Sequence, residues 1–304
     1  MLSAPVAIAI VVAILVGVRA TYPGYLERRA ARRRPVGPDG IVVGAGSIDH
    51  SRPGAPAVLL LHGGGDTPQA LAGIASYLFE RGFSVRAPLL PGYGRTLAAL
   101  AAVRADEWHE SVRSEYEALR SRHPFVAVVG LSMGGALAVT LATERPEVPA
   151  LVLLAPYLSM PPAIRALAMS SAAWGRLCPY LWSGGGRSIH DRDAAGRALG
   201  QGILTPAALH ALYRVIADAT TALPAVTTPT LVVHSTGDNR ISQRQAQRGF
   251  DRLGVPDKKL VWIEGAGHVI TVDYGYQAVF ELTAHWLSSH CAAAPEVSER
   301  ATPR

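Results

Sequence analysis

Three side chains of the kinds used in nucleophilic catalysis each follow an apolar run of the chain. Ser132 stands in "GLSMGG" after a valine-rich run, Asp238 ends "LVVHSTGD", and His268 ends "WIEGAGH". A serine hydroxyl becomes a good nucleophile when a histidine accepts its proton, and a carboxylate orients that histidine and stabilises the imidazolium that forms. The three residues therefore predict acyl transfer through a covalent ester on Ser132.

Ser132 lies on a very tight turn. The run Phe125–Leu131 predicts a buried strand, and Met133–Arg145 predicts a helix. Gly130 and Gly134 lack the Cβ atoms that would clash in such a turn, and the helix directs its first amides at a group that reacts with the serine. The G-x-S-x-G pattern also arises by chance in a chain with 30 glycines, where it marks a loop with an N-capping serine. The rest of the chain must therefore support the catalytic interpretation.

Position along the chain selects the histidine and the acid. His268 lies in a glycine-flanked loop after an apolar run, where a positioned base is expected. The other histidines after Ser132 lie in an apolar run, a terminal helix or an insertion; they are His190, His210, His234, His285 and His290. Glu264 ends a strand and is the rival of Asp238. The acids interpreted as solvated or capping are Asp218, Asp251 and Asp273.

A tetrahedral intermediate also needs hydrogen-bond donors for its oxyanion. The amide of Met133, directly after the serine, is the first predicted donor. The second is expected in "LHGGGDT", where His62 and Gly63 precede Gly64. We assign it to Gly64, with Gly65 as the alternative; a tight turn without a catalytic role is the structural alternative for this segment.

The elements around these residues alternate between strands and helices. The predicted strands are an early one in or near Ile41–Ile48, then the segment "AVLLLHGG" that begins at Ala57, followed by Ser84–Leu89, Phe125–Leu131, Ala150–Leu154, Thr230–His234 and Lys259–Ile263. The predicted helices are Gln69–Arg81, Asp106–Arg122, Met133–Arg145 and Tyr274–Ser288. Apolar strands that alternate with helices indicate an α/β protein, with a mostly parallel sheet covered by helices on both faces. Ligands bind such sheets at the carboxyl ends of the strands, where Ser132 lies.

Residues 157–224 interrupt this alternation and predict a helical cap. The apolar side chains assigned to substrate binding are Tyr157, Met160, Trp174 and Trp182. The alternative is that such side chains only pack the cap onto the body, because amphipathic helices bury one face in any case. The core of the α/β domain is predicted over residues 40–156 and 225–290, and a disordered tail over 291–304.

The N-terminal segment predicts a membrane anchor. Leu2–Val18 contains 17 residues without a charge, the lower limit for crossing a bilayer, and "YLERRAARRRP" follows it. We assign residues 1–20 to a single transmembrane helix and 21–39 to a basic juxtamembrane linker. The positive-inside rule then puts the catalytic domain in the cytoplasm. The triplet at residues 18–20 leaves a cleaved signal peptide and export as the alternative.

Several other classes are excluded. With 304 residues, 49% hydrophobic and 17% charged, the chain is not a disordered protein. Cys178 and Cys291 are too few for a disulfide framework. "GIVVGAGSID" lacks the third glycine of a dinucleotide site, and "SIHDRD" lacks a helical histidine pair for a metal. We expect no cofactor, no metal and no nucleic-acid partner; the oligomeric state is open.

The motifs "LLLHGGG", "GLSMGG", "TGD" and "GAGHVITVD", in this order, resemble the α/β-hydrolase superfamily. They are most similar to its bacterial carboxylesterase and monoacylglycerol lipase branch. The resemblance covers about Ala57 to Leu287 and implies an α/β-hydrolase fold with a small cap inserted after the sixth strand. It implies a triad of Ser132, Asp238 and His268, with oxyanion amides at Gly64 and Met133. Gly64 stands where the branch commonly has a bulky residue, which implies a wider acyl pocket.

The predicted function is hydrolysis of monoacylglycerol-like or short-to-medium acyl esters. The substrate partner is then a small acyl ester or a lipid, and the membrane is a second partner. The same triad also serves acyltransferases, thioesterases and amidases, which remain the alternatives within enzymes. From another class, the alternative is a non-catalytic, membrane-anchored binding protein on the hydrolase fold.

Overall fold

A seven-stranded sheet is the centre of the computed structural model, which describes residues 17, 21–183, 188–200 and 202–291. The described strands of the chain are β1 (Ile48–His50), β2 (Ala57–Leu61), β3 (Ser84–Ala87), β4 (Val126–Leu131), β5 (Leu151–Leu154), β6 (Leu181–Trp182), β7 (Ile203–Leu204), β8 (Thr230–Ser235) and β9 (Lys258–Ile263), of which β6 and β7 form a separate two-stranded sheet. The sheet order is β1-β3-β2-β4-β5-β8-β9, and every neighbouring pair is parallel except β1 and β3. The prediction of a mostly parallel sheet is confirmed.

Helices cover both faces of this sheet. The described helices of the whole chain, including those of the insertion, are α1 (residues 21–33), α2 (Ala72–Glu80), α3 (Leu97–Ala102), α4 (Ala105–Arg120), α5 (Met133–Glu144), α6 (Pro162–Met169), α7 (Ser171–Trp174), α8 (Arg192–Arg197), α9 (Pro206–Ala222), α10 (Gln243–Asp251) and α11 (Tyr276–His290). The fully buried strand β2 serves both layers because its side chains alternate. Leu59 and Leu61 pack with α4, α5 and α9, whereas Val58 and Leu60 pack with α2 and α11.

The sheet begins later than predicted. Most of Ile41–Ile48 forms turns, and Gly44 has a φ of 83°, so only Ile48 belongs to the strand β1. In the described residues only β1 precedes β2. The insertion therefore follows the fifth strand, and its predicted place after the sixth strand is wrong.

The insertion between β5 and β8 is built around α9. Thr205 caps this helix by accepting a hydrogen bond from the Ala208 amide at 3.1 Å, and Pro206 occupies its first turn. The buried side of α9 includes Ala211, Val215 and Ala219 and packs on α5, which begins directly after Ser132. This contact holds the cap over the carboxyl ends of the strands. The short ladder between β6 and β7 was not predicted.

The N-terminal part differs from an extended linker. Residues 21–33, predicted within the juxtamembrane linker, form α1, and Leu26 packs with Tyr180 and Ile203 of the cap. Tyr180 Oη donates to Glu27 Oε1 at 2.8 Å. Apart from Gly17, the predicted transmembrane segment lies outside the described residues, as does the predicted tail beyond residue 291. Among the described helices, none combines the length and apolar character of a membrane span.

Candidate active site

Ser132 occupies a strained backbone position between β4 and α5. Its φ and ψ are 53° and −113°, a combination that L-residues rarely adopt. Neighbouring strands hold it there: its N–H donates to Leu154 O at 2.9 Å, and its own carbonyl accepts the amide of Tyr157 at 3.1 Å. The hydroxyl group is therefore presented at the carboxyl end of the sheet, at the N-terminus of α5.

The two glycines of the pattern permit this turn. A Cβ atom on Gly130 would overlap the carbonyl group of Gly134. A Cβ atom on Gly134 would lie 2.6 Å from the carbonyl carbon of Leu61 and 2.8 Å from His62 O. The missing side chain of Gly134 lets α5 approach the end of β2, and that of Gly130 lets α5 start this close to β4.

The structure brings Ser132, His268 and Asp238 into one chain of hydrogen bonds. Ser132 Oγ lies 2.8 Å from His268 Nε2, and His268 Nδ1 lies 2.7 Å from Asp238 Oδ2. With the imidazole proton on Nδ1, where the carboxylate accepts it, Nε2 can accept the proton of the Ser132 hydroxyl group. Ser132 and His268 are both buried. The arrangement has the geometry of a nucleophile, its base and the group that orients the base.

Asp238 lies at the centre of a network of donors. Its side chain is 1% exposed, and Oδ1 accepts the amides of Arg240 at 2.7 Å and Ile241 at 3.0 Å. Burial would raise the pKa of Asp238, but hydrogen bonds from His234 and His268 outweigh it and hold the pKa well below its ordinary value. The carboxylate is therefore ionised at neutral pH. The rival acid, Glu264, is exposed.

His234 is a partner of Asp238 that sequence reasoning missed. The residue lies on β8 and is fully buried, as predicted, with the Trp262 ring at 5.6 Å between ring centroids. Its Nε2 atom also lies 3.1 Å from Asp238 Oδ2. The sequence signal for this contact was the spacing of four residues between His234, at the end of a strand, and Asp238.

The loop that carries His268 is tied to the cap. His268 N donates to Ser188 O at 2.7 Å, and the amide of Val269 donates to the same oxygen at 3.2 Å.

Asp273 is 1% exposed rather than solvated, which corrects the prediction. Its carboxylate accepts four amides, those of Gly267, His190, Asp191 and Tyr274, at 2.6 to 2.9 Å. Burial would raise the pKa of Asp273, but these four donors lower it below its ordinary value.

The two predicted oxyanion donors lie next to each other beside Ser132. A Cβ atom on Gly64 would lie 3.4 Å from Met133 Sδ, and both residues line the same cavity as Ser132. The hydroxyl group of Tyr93 contacts Met133 Sδ at 3.6 Å. The choice of Gly64 rather than Gly65 as the second donor stays a prediction.

His62 fixes the loop that carries Gly64. Its Nδ1–H donates to Gly63 O at 2.9 Å, and its Nε2 accepts the amide of Leu90 at 3.1 Å. Complete burial lowers the pKa of His62 to about 4. The ring is therefore neutral at pH 7, with both nitrogen atoms satisfied, and acts as a structural support.

A cavity of about 850 Å³ opens above Ser132 and His268. Its described lining includes apolar side chains from the body and the cap, namely Leu100, Ile164, Leu204, Leu209, Leu212 and Val269. Tyr157 also lines it, as predicted. The described lining does not include Met160, Trp174 or Trp182.

The two tryptophans have other contacts. Trp174 Nε1 donates to Leu167 O at 2.9 Å and ties α7 to α6. Trp182 is 47% exposed, and the Arg29 guanidinium of α1 lies 4.9 Å from its ring centroid. Trp174 thus joins two helices of the cap, and Trp182 joins the cap to α1, whereas Leu209 and Leu212 of α9 line the cavity.

Charged residues of the cavity were also missed. Asp66 lines it, and burial raises the pKa of Asp66 to about 6 although His268, Arg34 and Arg240 each act to lower it. The carboxyl group is surrounded by protein atoms, yet the residue keeps part of its surface towards the cavity. The glycine-rich segment before Asp66 was the only sequence signal for this position.

The polar motif "SIHDRD" has a structural explanation. Asp191 caps α8 by accepting the amides of Asp193 and Ala194 at 2.9 and 3.0 Å, and His190 Nδ1 lies 2.9 Å from Gly265 O. In the part of the chain that the structure describes, no three His, Cys, Asp or Glu side chains are grouped as metal ligands.

Comparison with known proteins gives consistent matches over this region. Residues 53–274 match the Hydrolase_4 family, described as "Serine aminopeptidase, S33". The chain is 28% identical over 238 residues to the thermostable monoacylglycerol lipase of Bacillus sp. (strain H-257), covering 78% of this chain and 92% of the lipase. It is 29% identical over 222 residues to a carboxylesterase of Bacillus subtilis (strain 168), covering 72% and 87%. A solved structure described with the metagenome-derived lipolytic enzymes LipS and LipT superposes with a TM-score of 0.76 at 27% identity, covering 82% of this chain and 100% of that one.

Proposed function

The chain belongs to the Hydrolase_4 family of α/β-hydrolases, and we propose that it cleaves carboxylic esters through an acyl-enzyme on Ser132. The observation that carries this proposal is the hydrogen-bonded chain from Ser132 through His268 to Asp238, at a cavity that Gly64 and Met133 also line. Its relatives include a monoacylglycerol lipase and a carboxylesterase, so an esterase or lipase-type serine hydrolase is the enzyme class.

In the acylation step, Ser132 Oγ bonds to the ester carbonyl carbon while its proton passes to His268 Nε2. The carbonyl oxygen becomes an oxyanion, which the amides of Gly64 and Met133 stabilise together with the N-terminus of α5. Asp238 stabilises the imidazolium. When the intermediate collapses, the bond from carbon to the alkoxy oxygen breaks, and His268 Nε2–H protonates the departing alcohol.

Deacylation repeats these steps with water. A water molecule gives a proton to His268 Nε2 as its oxygen bonds to the acyl carbon. Collapse of the second intermediate breaks the bond between the acyl carbon and Ser132 Oγ, and the proton returns to that oxygen. The products are a carboxylic acid, an alcohol and the free enzyme.

The cavity supports a short-to-medium acyl ester or a monoacylglycerol-like ester as the substrate. Its volume of about 850 Å³ lies in the range of small-ligand sites. Side chains of α9, Leu209 and Leu212, give it an apolar wall suited to an alkyl chain. An acyltransferase or a thioesterase would use the same triad with a different acceptor or leaving group.

Amide cleavage is the second candidate, because the matching family is described as a serine aminopeptidase family. An aminopeptidase must hold the free ammonium group of its substrate, which favours carboxylates in the pocket. The described cavity lining contains four arginines and one acidic residue, Asp66. This charge distribution favours an ester substrate without an ammonium group.

The N-terminal segment supports a proposal for location. Leu2–Val18 is uncharged and is followed by a basic stretch, so we place the catalytic domain on the cytoplasmic side of a membrane with residues 1–20 as its anchor. A cleaved signal peptide with export is the alternative. Protease treatment of sealed right-side-out vesicles, in which the cytoplasmic face of the membrane is inside, distinguishes the two. A cytoplasmic domain is protected until detergent is added, and digestion without detergent contradicts the proposal.

The function is tested with Ser132→Ala and a control, Ser289→Ala, at an exposed serine of α11. Hydrolysis of 4-nitrophenyl butyrate and of 1-octanoylglycerol is measured for both. We expect Ser132→Ala to lower kcat at least about a thousandfold, because the nucleophile is lost. We expect Ser289→Ala to match the wild type. A folded Ser132→Ala protein with wild-type turnover would refute the assignment.

A further inference from the structure

The described lining of the active-site cavity carries an excess of positive charge. It includes four arginines and a single carboxylate, that of Asp66. The arginines come from three elements: Arg33 and Arg34 end the basic N-terminal stretch, Arg197 ends α8, and Arg240 follows β8. A concave site with one predominant sign of charge attracts ligands of the opposite sign.

Arg34 is the most buried of these charges. It is half-buried, and its Nη2 donates to the Ala198 carbonyl oxygen at 3.2 Å, a partner without a formal charge. Burial lowers the pKa of Arg34, and repulsion from Arg33 lowers it further. Attraction by Asp66 raises it, but this effect is the smallest of the three. The surroundings therefore disfavour the guanidinium charge, and an anionic ligand would compensate for this. A guanidinium group binds a carboxylate or a phosphate through two parallel hydrogen bonds.

Two of these arginines, Arg34 and Arg240, lie near the reacting groups. Asp66 interacts electrostatically with His268 and also with Arg34 and Arg240, so these three residues surround the same carboxyl group. The backbone of Arg240 donates to Asp238 at 2.7 Å, while its Nε donates to Ser188 Oγ at 2.7 Å. A ligand bound by these arginines can therefore present an ester bond to Ser132 in the same cavity.

The contacts of α1 fix the position of its arginines. Leu26 is buried against the cap, the side chain of Glu27 accepts a hydrogen bond from Tyr180, and Arg29 stacks on Trp182. Arg32, one residue before Arg33, is exposed and is not among the residues that line the cavity. The helix is thus a built part of the cavity wall rather than a passive connection.

We propose that this cavity selects esters that carry a carboxylate or a phosphate in addition to the ester bond, and that Arg34 and its neighbours Arg33 and Arg240 bind the anion. The inference rests on the proposed function and names the substrate class of the same site. The anion is either the far end of the acyl group or part of the alcohol.

Two pairs of substrates separate these sources. Monomethyl suberate and methyl octanoate differ in a terminal carboxylate on the acyl chain. 1-Octanoylglycerol 3-phosphate and 1-octanoylglycerol differ in a phosphate on the alcohol. The wild type is expected to have the higher kcat/KM for the anionic member of one pair, and that pair identifies the side on which the anion lies. This preference should decrease when the ionic strength is raised, because salt screens exposed charges.

The matched variants are Arg34→Gln and Arg32→Gln. Arg34→Gln is expected to reduce the ratio of anionic to neutral kcat/KM about tenfold, chiefly through KM, since it removes a charged hydrogen bond. Arg32→Gln makes the same change two residues earlier, on α1 and outside the cavity, and its ratio should equal that of the wild type. A wild type that prefers the neutral member of both pairs, or equal ratios in Arg34→Gln and Arg32→Gln, would overturn the inference.

Binding without turnover separates this inference from the proposed function. Both members of each substrate pair, the anionic and the neutral ester, are titrated by calorimetry into Ser132→Ala and into the double variant Ser132→Ala/Arg34→Gln. Anion binding that Arg34→Gln weakens supports the cationic site even if no ester is hydrolysed, in which case only the proposed function fails. Equal binding of anionic and neutral ligands to Ser132→Ala contradicts the cationic site even if esters are hydrolysed.

Discussion

Replacing Asp238 with asparagine tests how the carboxylate controls the proton on His268. The carboxylate accepts four hydrogen bonds: Oδ1 takes the amides of Arg240 and Ile241, and Oδ2 takes His268 Nδ1 and His234 Nε2. An asparagine side chain has only one oxygen. Because the backbone amides can only donate, that oxygen must stay with Arg240 and Ile241, and the NH₂ group then faces the two histidines.

The consequence is a histidine with the wrong tautomer. An NH₂ group at 2.7 Å from Nδ1 can only donate to it, so the proton of His268 moves to Nε2, the atom that must accept the proton of Ser132. In a well-studied serine protease the corresponding change lowers kcat about ten-thousandfold. A similar factor is expected here, equivalent to about 5 kcal/mol of transition-state stabilisation.

Asp257→Asn is the matched control. Asp257 also contacts a histidine, His290 Nε2, at 3.1 Å, but its side chain is 58% exposed. Steady-state hydrolysis of 4-nitrophenyl butyrate is measured for both variants, with thermal unfolding to establish that each is folded. Asp257→Asn should match the wild type. A folded Asp238→Asn protein within tenfold of wild-type kcat would refute the reasoning about the tautomer.

Two further predictions concern stability. Gly134→Ala should prevent folding or lower the melting temperature by more than about 10 °C, because the added Cβ would overlap the backbone of Leu61. The control Gly196→Ala has open space around the added Cβ and should melt within about 2 °C of the wild type. Equal melting temperatures of the two variants would contradict the close approach of α5 to β2. The raised pKa of Asp66 means that the folded state binds its proton more tightly than the unfolded state does, so this group lowers stability as pH rises from about 4 to about 6. Asp66→Asn should therefore raise the free energy of unfolding in urea by about 1–3 kcal/mol at pH 7 and have little effect at pH 4, and an equal gain at both pH values would argue against the raised pKa.

The parts of the fold that follow from local pattern were predictable. Val126–Leu131 is a short, valine-rich apolar run between two predicted helices, which is typical of a buried strand, so β4 and the turn after it were located to within one residue. The same reasoning failed at Ile41–Ile48, where the positive φ of Gly44 turns the chain away from the sheet. An apolar composition alone does not distinguish these two cases.

Residues whose neighbours are distant in sequence could not be assigned in this way. Asp273 was interpreted as solvated or capping, yet three of its four donors lie at Gly267, His190 and Asp191, which only the folded chain brings together. The same problem applies to the cap residues Trp174 and Trp182. The sequence shows that both are large apolar side chains of the insertion, but it does not show whether they face the cavity or another helix. The docking of α1, which brings Arg34 to the active site, depends on contacts with residues more than 100 positions away.

The central claim is that Ser132 is a nucleophile activated by His268. It is tested most directly by incubating the detergent-solubilised full chain with a fluorophosphonate probe and locating the adduct by mass spectrometry. The account predicts a single adduct on Ser132 in the wild type and none in a folded His268→Ala variant. No adduct on folded wild-type protein, an adduct at another residue, or undiminished labelling of Ser132 in His268→Ala would contradict it.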